Sequence, residues 1–421
     1  MVDKNLFLHD LAVVAILKNE GAYLKEWLDY HLLAGVDHFY LYDNDSTDNQ
    51  REVAAPYVKA DLVDYIHAPG KFMQYAVYND AIKRFKFFGR HMAFIDADEF
   101  IFPKTSQSIA ETLDEILSLA PEAAGVMINW QSFGSNGQEK ADYSRGVLER
   151  FTRRAPVNWS ALAVGNLIIG NLACKIVINP RLINFIDNAH YAFCFNGLSC
   201  INSDGIIDYD VSEKKIVAAD KIVVNHYYVK SREEYVKKIS RGAADHNSHL
   251  YSMKNFEIND RNEEFDDGIL RYRAARAENF SLPDDDERFK RVAKTLTEIF
   301  SAYVAGKKFS METALTCRAL SAYLLEKFPD NADRWKVYEE TAFAAILNSL
   351  DDLSLLDAHM LIRELPQLLC RPYPAAKSLR EVAFQIINQL SDLARINKDW
   401  QFYVELNYLQ DFFGSDLFDR Q

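Results

Sequence analysis

Short apolar runs and amphipathic stretches alternate along the first hundred residues. Residues 11–17, LAVVAIL, are continuously apolar and rich in β-branched side chains, as expected of a strand buried on both faces. The run stops at Lys18, Asn19 and Glu20. In the following GAYLKEWLDYHLLAGV, Leu24, Trp27, Leu28 and Leu32 recur at i, i+3, i+4 and i+8, which predicts an amphipathic helix closed by Gly35. HFYLYD (38–43) predicts a second strand and NDSTDN (44–49) a turn rich in helix N-cap residues. LVDYIH (62–67) predicts a third strand, residues 74–88 a helix, and MAFID (92–96) a fourth strand.

This alternation predicts an α/β fold with an open, mostly parallel sheet flanked by helices. Ligands bind such sheets at the carboxyl ends of the strands. Three polar clusters fall at those ends: 18–20, 43–45 and 96–98. From about residue 125 the pattern becomes more β-like, with VMINWQSFGSNG, CKIVINP and KIVVNHYYV reading as strands. A helix opened by Ser231 follows over 232–246, and the acidic SLPDDDE (281–287) reads as a boundary or exposed loop. From 288 onward helix follows helix, with breaks expected at 327–330, Pro366 and Pro372, so the C-terminal part is an all-α domain. The expected division is 1–245, a connection over 246–287, and 288–421.

Composition narrows the partners. The 421 residues are 49% apolar and 26% charged, ordinary for a globular protein. A net charge of −13 leaves no dominant basic surface, so no nucleic-acid partner is expected. Cys174, Cys194, Cys200, Cys317 and Cys370 are scattered, without a CxxC pair, which favours a reduced, cytoplasmic setting over a disulfide framework or zinc site. No apolar run approaches a membrane span, and peripheral contact with the inner face of a membrane is left open. The C-terminal helices are candidates for homo-oligomer formation.

The chemistry concentrates in MAFIDADEFIFP (92–103). Side chains two apart on an extended chain share a face, so Asp96 and Asp98 are expected to converge. Unpaired, the two carboxylates repel; a hard divalent cation resolves the conflict and accepts phosphate oxygens as further ligands. Glu99 has the opposite parity and is expected to brace the loop. His226 or His190 could supply a third, imidazole ligand. Asp43, at the end of the second strand, could accept hydrogen bonds from a base edge or ribose hydroxyl. No P-loop, dinucleotide fingerprint or nucleophile elbow is present.

The stretch AILKNEGAYLKEWLDYHLLAGVDHFYLYDNDSTDN, followed by MAFIDADEFIFP, resembles glycosyltransferases of families 2 and 92, of GT-A fold; NWQSFGSNG and NHYYVKSREEYVKKISRGAAD resemble later blocks of the same group. The resemblance covers roughly residues 11–245. It implies a GT-A-like fold and a hexosyltransferase-type enzyme, inverting, that moves a sugar from a nucleotide-diphosphate sugar donor to a glycan or glycolipid acceptor, as in polysaccharide or lipopolysaccharide biosynthesis. It further implies that Asp96 and Asp98 hold Mn²⁺ or Mg²⁺ against the donor diphosphate and that His226 closes the metal site. By the same resemblance Lys18, Asn19, Glu20 and Asp43 line the nucleotide pocket, and Gln74 and Asn79 approach the donor. The Glu-Asp dipeptide that carries the base in family 2 is not evident; Glu139, Asp142 and Glu149 stand in its region and are the candidates for the general base. Trp130, Phe133 and Asn136 are candidates for acceptor contact. The alternatives are a metal-dependent nucleotidyltransferase and a non-catalytic binding scaffold.

Overall fold

The computed structural model describes residues 2–162, 168–195, 198–207, 217–241, 252–272, 285–350, 353–369 and scattered positions between 387 and 407. The chain divides into two compact units: residues 7–194 with 198–289, and residues 290–421 with 1–6 and 195–197.

Among the described residues, the larger unit is built on a nine-stranded sheet. Its strands are β1 (His9–Leu17), β2 (His38–Asp43), β3 (Val63–His67), β4 (Gly89–Phe94), β5 (Glu99–Pro103), β6 (Gly125–Ser132), β7 (Cys174–Ile178), β8 (Cys200–Asn202) and β9 (Ile222–His226). Their spatial order is β3-β2-β1-β4-β7-β6-β9-β5, with β8 also paired to β6. The first four run parallel, β7 is antiparallel to β4 and β6, and β9 is parallel to β6 but antiparallel to β5. Helices α1 (Gly21–Leu33), α2 (Gln50–Lys59), α3 (Gln74–Phe85), α4 (Ile109–Ser118) and α5 (Arg232–Arg241) complete the unit's longer elements. The α/β class and mostly parallel sheet expected from the alternation are what is observed.

β1 shows why its sequence is apolar throughout. Leu11, Val13, Ala15 and Leu17 enter one core, shared with Leu24, Trp27 and Leu28 of α1 and Leu113 of α4. Ala12, Val14 and Ile16 enter a second core on the other face, against Val77, Tyr78, Ala81 and Phe85 of α3. A strand with a helical layer on each face has no solvent side, hence no alternation. Gly35, at φ +95°, turns the chain from α1 into β2, a conformation that side-chain-bearing residues seldom adopt.

Three boundaries differ from the sequence reading. β4 ends at Phe94 rather than at residue 96, α3 at Phe85, and a helix already begins at Asp285 (Asp285–Val304) where an exposed loop was expected. Within the expected connection 246–287, Glu264–Phe265 pairs antiparallel with Arg153–Arg154 and Asn262 accepts from the Asn136 amide, so its described part belongs to the sheet unit.

In the second unit, Met311–Lys327 and Ala332–Asn348 pack together across the Pro329–Asn331 turn. Leu315, Leu320 and Leu324 are buried from the first helix and Ala342, Ala345 and Ile346 from the second. The expected break at 327–330 is present. Pro366 is not a break: helix Leu355–Leu369 runs through it. Pro372 and Cys370 lie outside the described residues. Among those described, no helix is long and apolar enough to cross a membrane, and Cys174, Cys194, Cys200 and Cys317 are free thiols.

Candidate active site

The carboxyl ends of β1, β2 and β4 and the start of β5 form one rim, and topology explains which side chains meet there. β5 runs antiparallel to β9 with His226 opposite Glu99, so the first residue of one strand lies beside the last of the other. The Tyr227 amide donates to the Asp98 carbonyl at 2.8 Å and fixes that junction. Asp98 and His226, 128 positions apart in sequence by subtraction of their numbers, are neighbours for this reason.

Asp96 and Asp98 do not share a strand face. Residues 97 and 98 form a turn, closed by the Glu99 amide on the Asp96 carbonyl at 3.1 Å, and the two-residue parity of an extended chain does not apply across it. Asp96, about one-third exposed at 35%, accepts from Lys175 Nζ at 2.7 Å and Gln74 Nε2 at 3.3 Å. Asp98 is buried and accepts from Lys238 Nζ at 2.6 Å, with His226 Nε2 at 3.7 Å from its other oxygen. Glu99 braces the turn as expected: its Oε2 accepts from the Asp96 amide at 2.9 Å and lies 3.3 Å from Lys175. Its Oε1 is buried without a hydrogen bond.

Charge follows from these contacts. Burial alone would raise the Asp98 carboxyl, but Lys238, with Lys230 behind it, overrules burial and holds Asp98 well below the usual carboxylate range. Burial raises Glu99, and the neighbouring Asp96 and Asp98 carboxylates push the same way. Lys175 is buried, yet Asp96 and Glu99 hold its ammonium protonated. Burial draws His226 down to about 3, so its imidazole is neutral near pH 7.

A divalent cation fits part of this group. Among the described residues no three His, Cys, Asp or Glu side chains could hold a metal by themselves. Two come close to sharing one: donors about 2.1 Å from a common ion at bond angles of about 90 to 120° lie roughly 3.0 to 3.6 Å apart, and Asp98 Oδ1 and His226 Nε2 are 3.7 Å apart, so a slight closing of the pair would seat the ion. One is ionised and the other neutral, the states in which each ligates. His190 is not placed the same way; its Nδ1 lies 2.8 Å from the Cys174 carbonyl oxygen.

The other sequence-derived candidates divide. The Lys18 carbonyl accepts from Arg241 at 2.7 Å. Asn19, at φ +56°, receives the Thr47 and Asp48 amides on its side-chain oxygen. Glu20 pairs with Arg241 at 2.6 Å, and its other oxygen is buried and unbonded. Asp43 caps the turn after β2, accepting from the Ser46 amide and Gln50, a role the sequence reading had given to its neighbours. Asn79 anchors α3 instead of facing a ligand, since its amide group exchanges two hydrogen bonds with the Ile186 backbone.

Trp130 is half-buried, its ring 4.2 Å from His226 and 5.1 Å from His190. Phe133 is a core residue, 1% exposed and packed on Tyr227, and Asn136 holds its own loop through Thr152 and Arg153; neither offers an acceptor surface. Glu139 is exposed, and Asp142 closes a local turn with Ser144. Glu149 lies near Arg145 at 3.6 Å and lines a separate cavity with Tyr30 and Tyr272.

Sequence reasoning missed the cations Lys175, Lys230, Lys238 and Arg241. Lys175 left one signal, as the single charge inside the apolar run CKIVINP. The rest lie in a block whose charges look like an ordinary solvated helix face.

A family model, glycosyltransferase family 92, matches residues 14–269, more than half of the chain and the whole rim described above. Among curated proteins, a glycosyltransferase family 92 protein of Ricinus communis is 24% identical over 239 residues, covering 56% of this chain and 38% of that protein. One of Oryza sativa subsp. japonica is 24% identical over 257 residues, covering 60% and 39%. The chain therefore spans about two-fifths of the length of these relatives. Among solved structures, S. aureus TarS 1-349 in complex with UDP aligns at 13% identity and a TM-score of 0.30, over 85% of this chain and 91% of that one. A likeness that slight supports no shared site. The family match, over the segment that carries the rim, shows that this chain belongs to glycosyltransferase family 92.

Proposed function

We propose that this chain transfers a sugar from a nucleotide-diphosphate sugar to a hydroxyl of a glycan or glycolipid acceptor, with a divalent cation, Mn²⁺ or Mg²⁺, at the rim. The observation that carries the reading is the pairing of an ionised Asp98 with a neutral, buried His226 at 3.7 Å, in a chain of this family. Asp98 and His226 would hold the ion, while Asp96, fixed by Lys175 and Gln74, stands at the more exposed edge of the same rim. When bound, the cation supplies Lewis-acid stabilisation of the negative charge that develops on the departing diphosphate.

The protein's own part is preorganisation. Lys238 keeps Asp98 ionised, and Glu99 and Lys175 hold the turn so that the carboxylates need not rearrange on ligand arrival. Asn19, Glu20 and Asp43 border the edge where the nucleotide would lie. An inverting course requires a carboxylate to take the acceptor proton on the face opposite the leaving group. Glu139, Asp142 and Glu149 remain the candidates of this proposal, and each would have to reach the acceptor from its present position.

A screen of nucleotide sugars for metal-dependent hydrolysis tests the reading. Turnover of at least one donor, abolished by a chelator and reduced about a hundredfold or more in Asp98→Asn, is expected. Undiminished turnover in Asp98→Asn would refute it.

A further inference from the structure

Lys230 stands out among the cations of the larger unit. It is buried, 6% exposed, in the short connection between β9 and α5. Its backbone sits at φ +52°, a region lysine seldom occupies, and such strain persists where surrounding structure enforces it for a purpose. Its neighbouring cations are paired: Lys238 with Asp98, Arg241 with Glu20 and Lys237 with Glu233. Lys230 makes no ion pair or hydrogen bond with any described residue; its ammonium rests 4.5 Å from the centre of the Tyr23 ring. The Tyr23 hydroxyl donates to Glu234, which is already bound by Arg150 through two hydrogen bonds.

A buried ammonium with no anion in direct contact is costly, and burial draws this one below the usual lysine range against the pull of the Asp98 and Glu20 carboxylates farther off. The cost is removed if an anion arrives. Lys230 lines a cavity of about 350 Å³ together with Lys237, Lys238 and Arg241. The carboxylates on the same wall already have partners: Glu234 is bound by Arg150, Asp48 by the Gly21 and Gln50 amides, and Glu20 by Arg241 through one of its two oxygens. The cavity reaches the proposed cation site through Lys238, whose ammonium binds Asp98, and the end of β1 through Arg241.

We infer that Lys230, flanked by Lys238 and Arg241, forms a phosphate subsite that receives the diphosphate of the donor. The assignment rests on the donor class proposed above. It gives the diphosphate a second source of positive charge, supplied by the protein.

Calorimetric titration of the full chain with inorganic pyrophosphate, and with a panel of nucleoside diphosphates in the presence of Mn²⁺, tests the subsite in wild type, Lys230→Met and Lys230→Arg. Expected is binding by wild type, weakened about tenfold or more in Lys230→Met and largely restored in Lys230→Arg. Because Lys230→Met removes an unpaired buried charge, its melting temperature is expected to equal or exceed that of wild type. Unchanged affinity in Lys230→Met, no pyrophosphate binding by wild type, or a lowered melting temperature in Lys230→Met each overturns the subsite. If affinity falls as expected but no nucleotide sugar is turned over by wild type, the phosphate subsite stands and the glycosyl-transfer reading fails. If donors are turned over and affinity is unchanged in Lys230→Met, the reverse holds.

Discussion

At the scale of single residues, lysines surround the acidic triplet and decide its charge. Lys175 is 1% exposed and bridges Asp96 and Glu99. Replacing it with Met would leave the buried Glu99 carboxyl and the partly exposed Asp96 carboxylate without their shared donor, at a cost of about 1–3 kcal/mol. Chemical denaturation of Lys175→Met should show that loss, and adding Glu99→Gln should recover part of it; additive losses would show the two are not coupled. A different residue sets a pH dependence. His31 is fully buried, with Nδ1 2.9 Å from the Trp27 carbonyl and Nε2 accepting the Ile101 amide at 3.3 Å, so it is neutral with the proton on Nδ1. Burial pulls it down to about 3, against about 6.5 in an unfolded chain. Between those values the unfolded state binds the extra proton, so stability is lost as pH falls from about 6.5 towards 3, by up to about 1.4 kcal/mol per pH unit. Melting curves across that range should be steeper in pH for wild type than for His31→Gln; equal slopes would remove His31 from the account. The sequence marked Asp96, Asp98 and His226 through their strand-end positions. It could not mark the lysines, because a lysine's partner is chosen by tertiary contacts and not by its neighbours in the chain.

At the scale of elements, the rim depends on α5 being tied to the sheet. Arg241, in its last turn, binds Glu20 and the Lys18 carbonyl at the end of β1. Glu234, in its first turn, forms a two-bond ion pair with Arg150, both side chains almost fully buried at 2% and 1% exposed. Removing one partner of such a pair costs about 3–5 kcal/mol, whereas replacing both by apolar groups of similar size is often far milder. Arg150→Met should therefore destabilise strongly and Arg150→Met with Glu234→Leu much less, as urea midpoints would show. An equal loss in both would mean that the pair matters only for its packing. Elements themselves were largely legible. The period of Leu24, Trp27 and Leu28 marked α1, and the unbroken apolar run marked β1, because both follow from local burial. Two things were not. The turn at 96–98 looked like strand because its flanks are apolar, and the β5–β9 pairing that brings His226 to Asp98 is a long-range register invisible to local pattern.

For the molecule as a whole, the family match and the rim fall on the same unit: the matched residues 14–269 lie within 7–289, apart from 195–197. The helical unit over 290–421 has its own buried core and lies outside the matched region. The loops that would carry an acceptor and a base were the least legible part, since Glu139, Asp142 and Glu149 were chosen by position in sequence, whereas a base is defined by position in space. In the function proposed above, Asp98 and His226 would make nucleoside diphosphate binding depend on a divalent cation. Calorimetry of nucleoside diphosphates with and without Mn²⁺, in wild type and Asp98→Asn, addresses it directly. Mn²⁺ should tighten binding of at least one nucleoside diphosphate about tenfold or more in wild type, and Asp98→Asn should remove that increment while the melting transition is retained. The same Mn²⁺ increment in both proteins, or none in wild type for any nucleoside diphosphate, would contradict it.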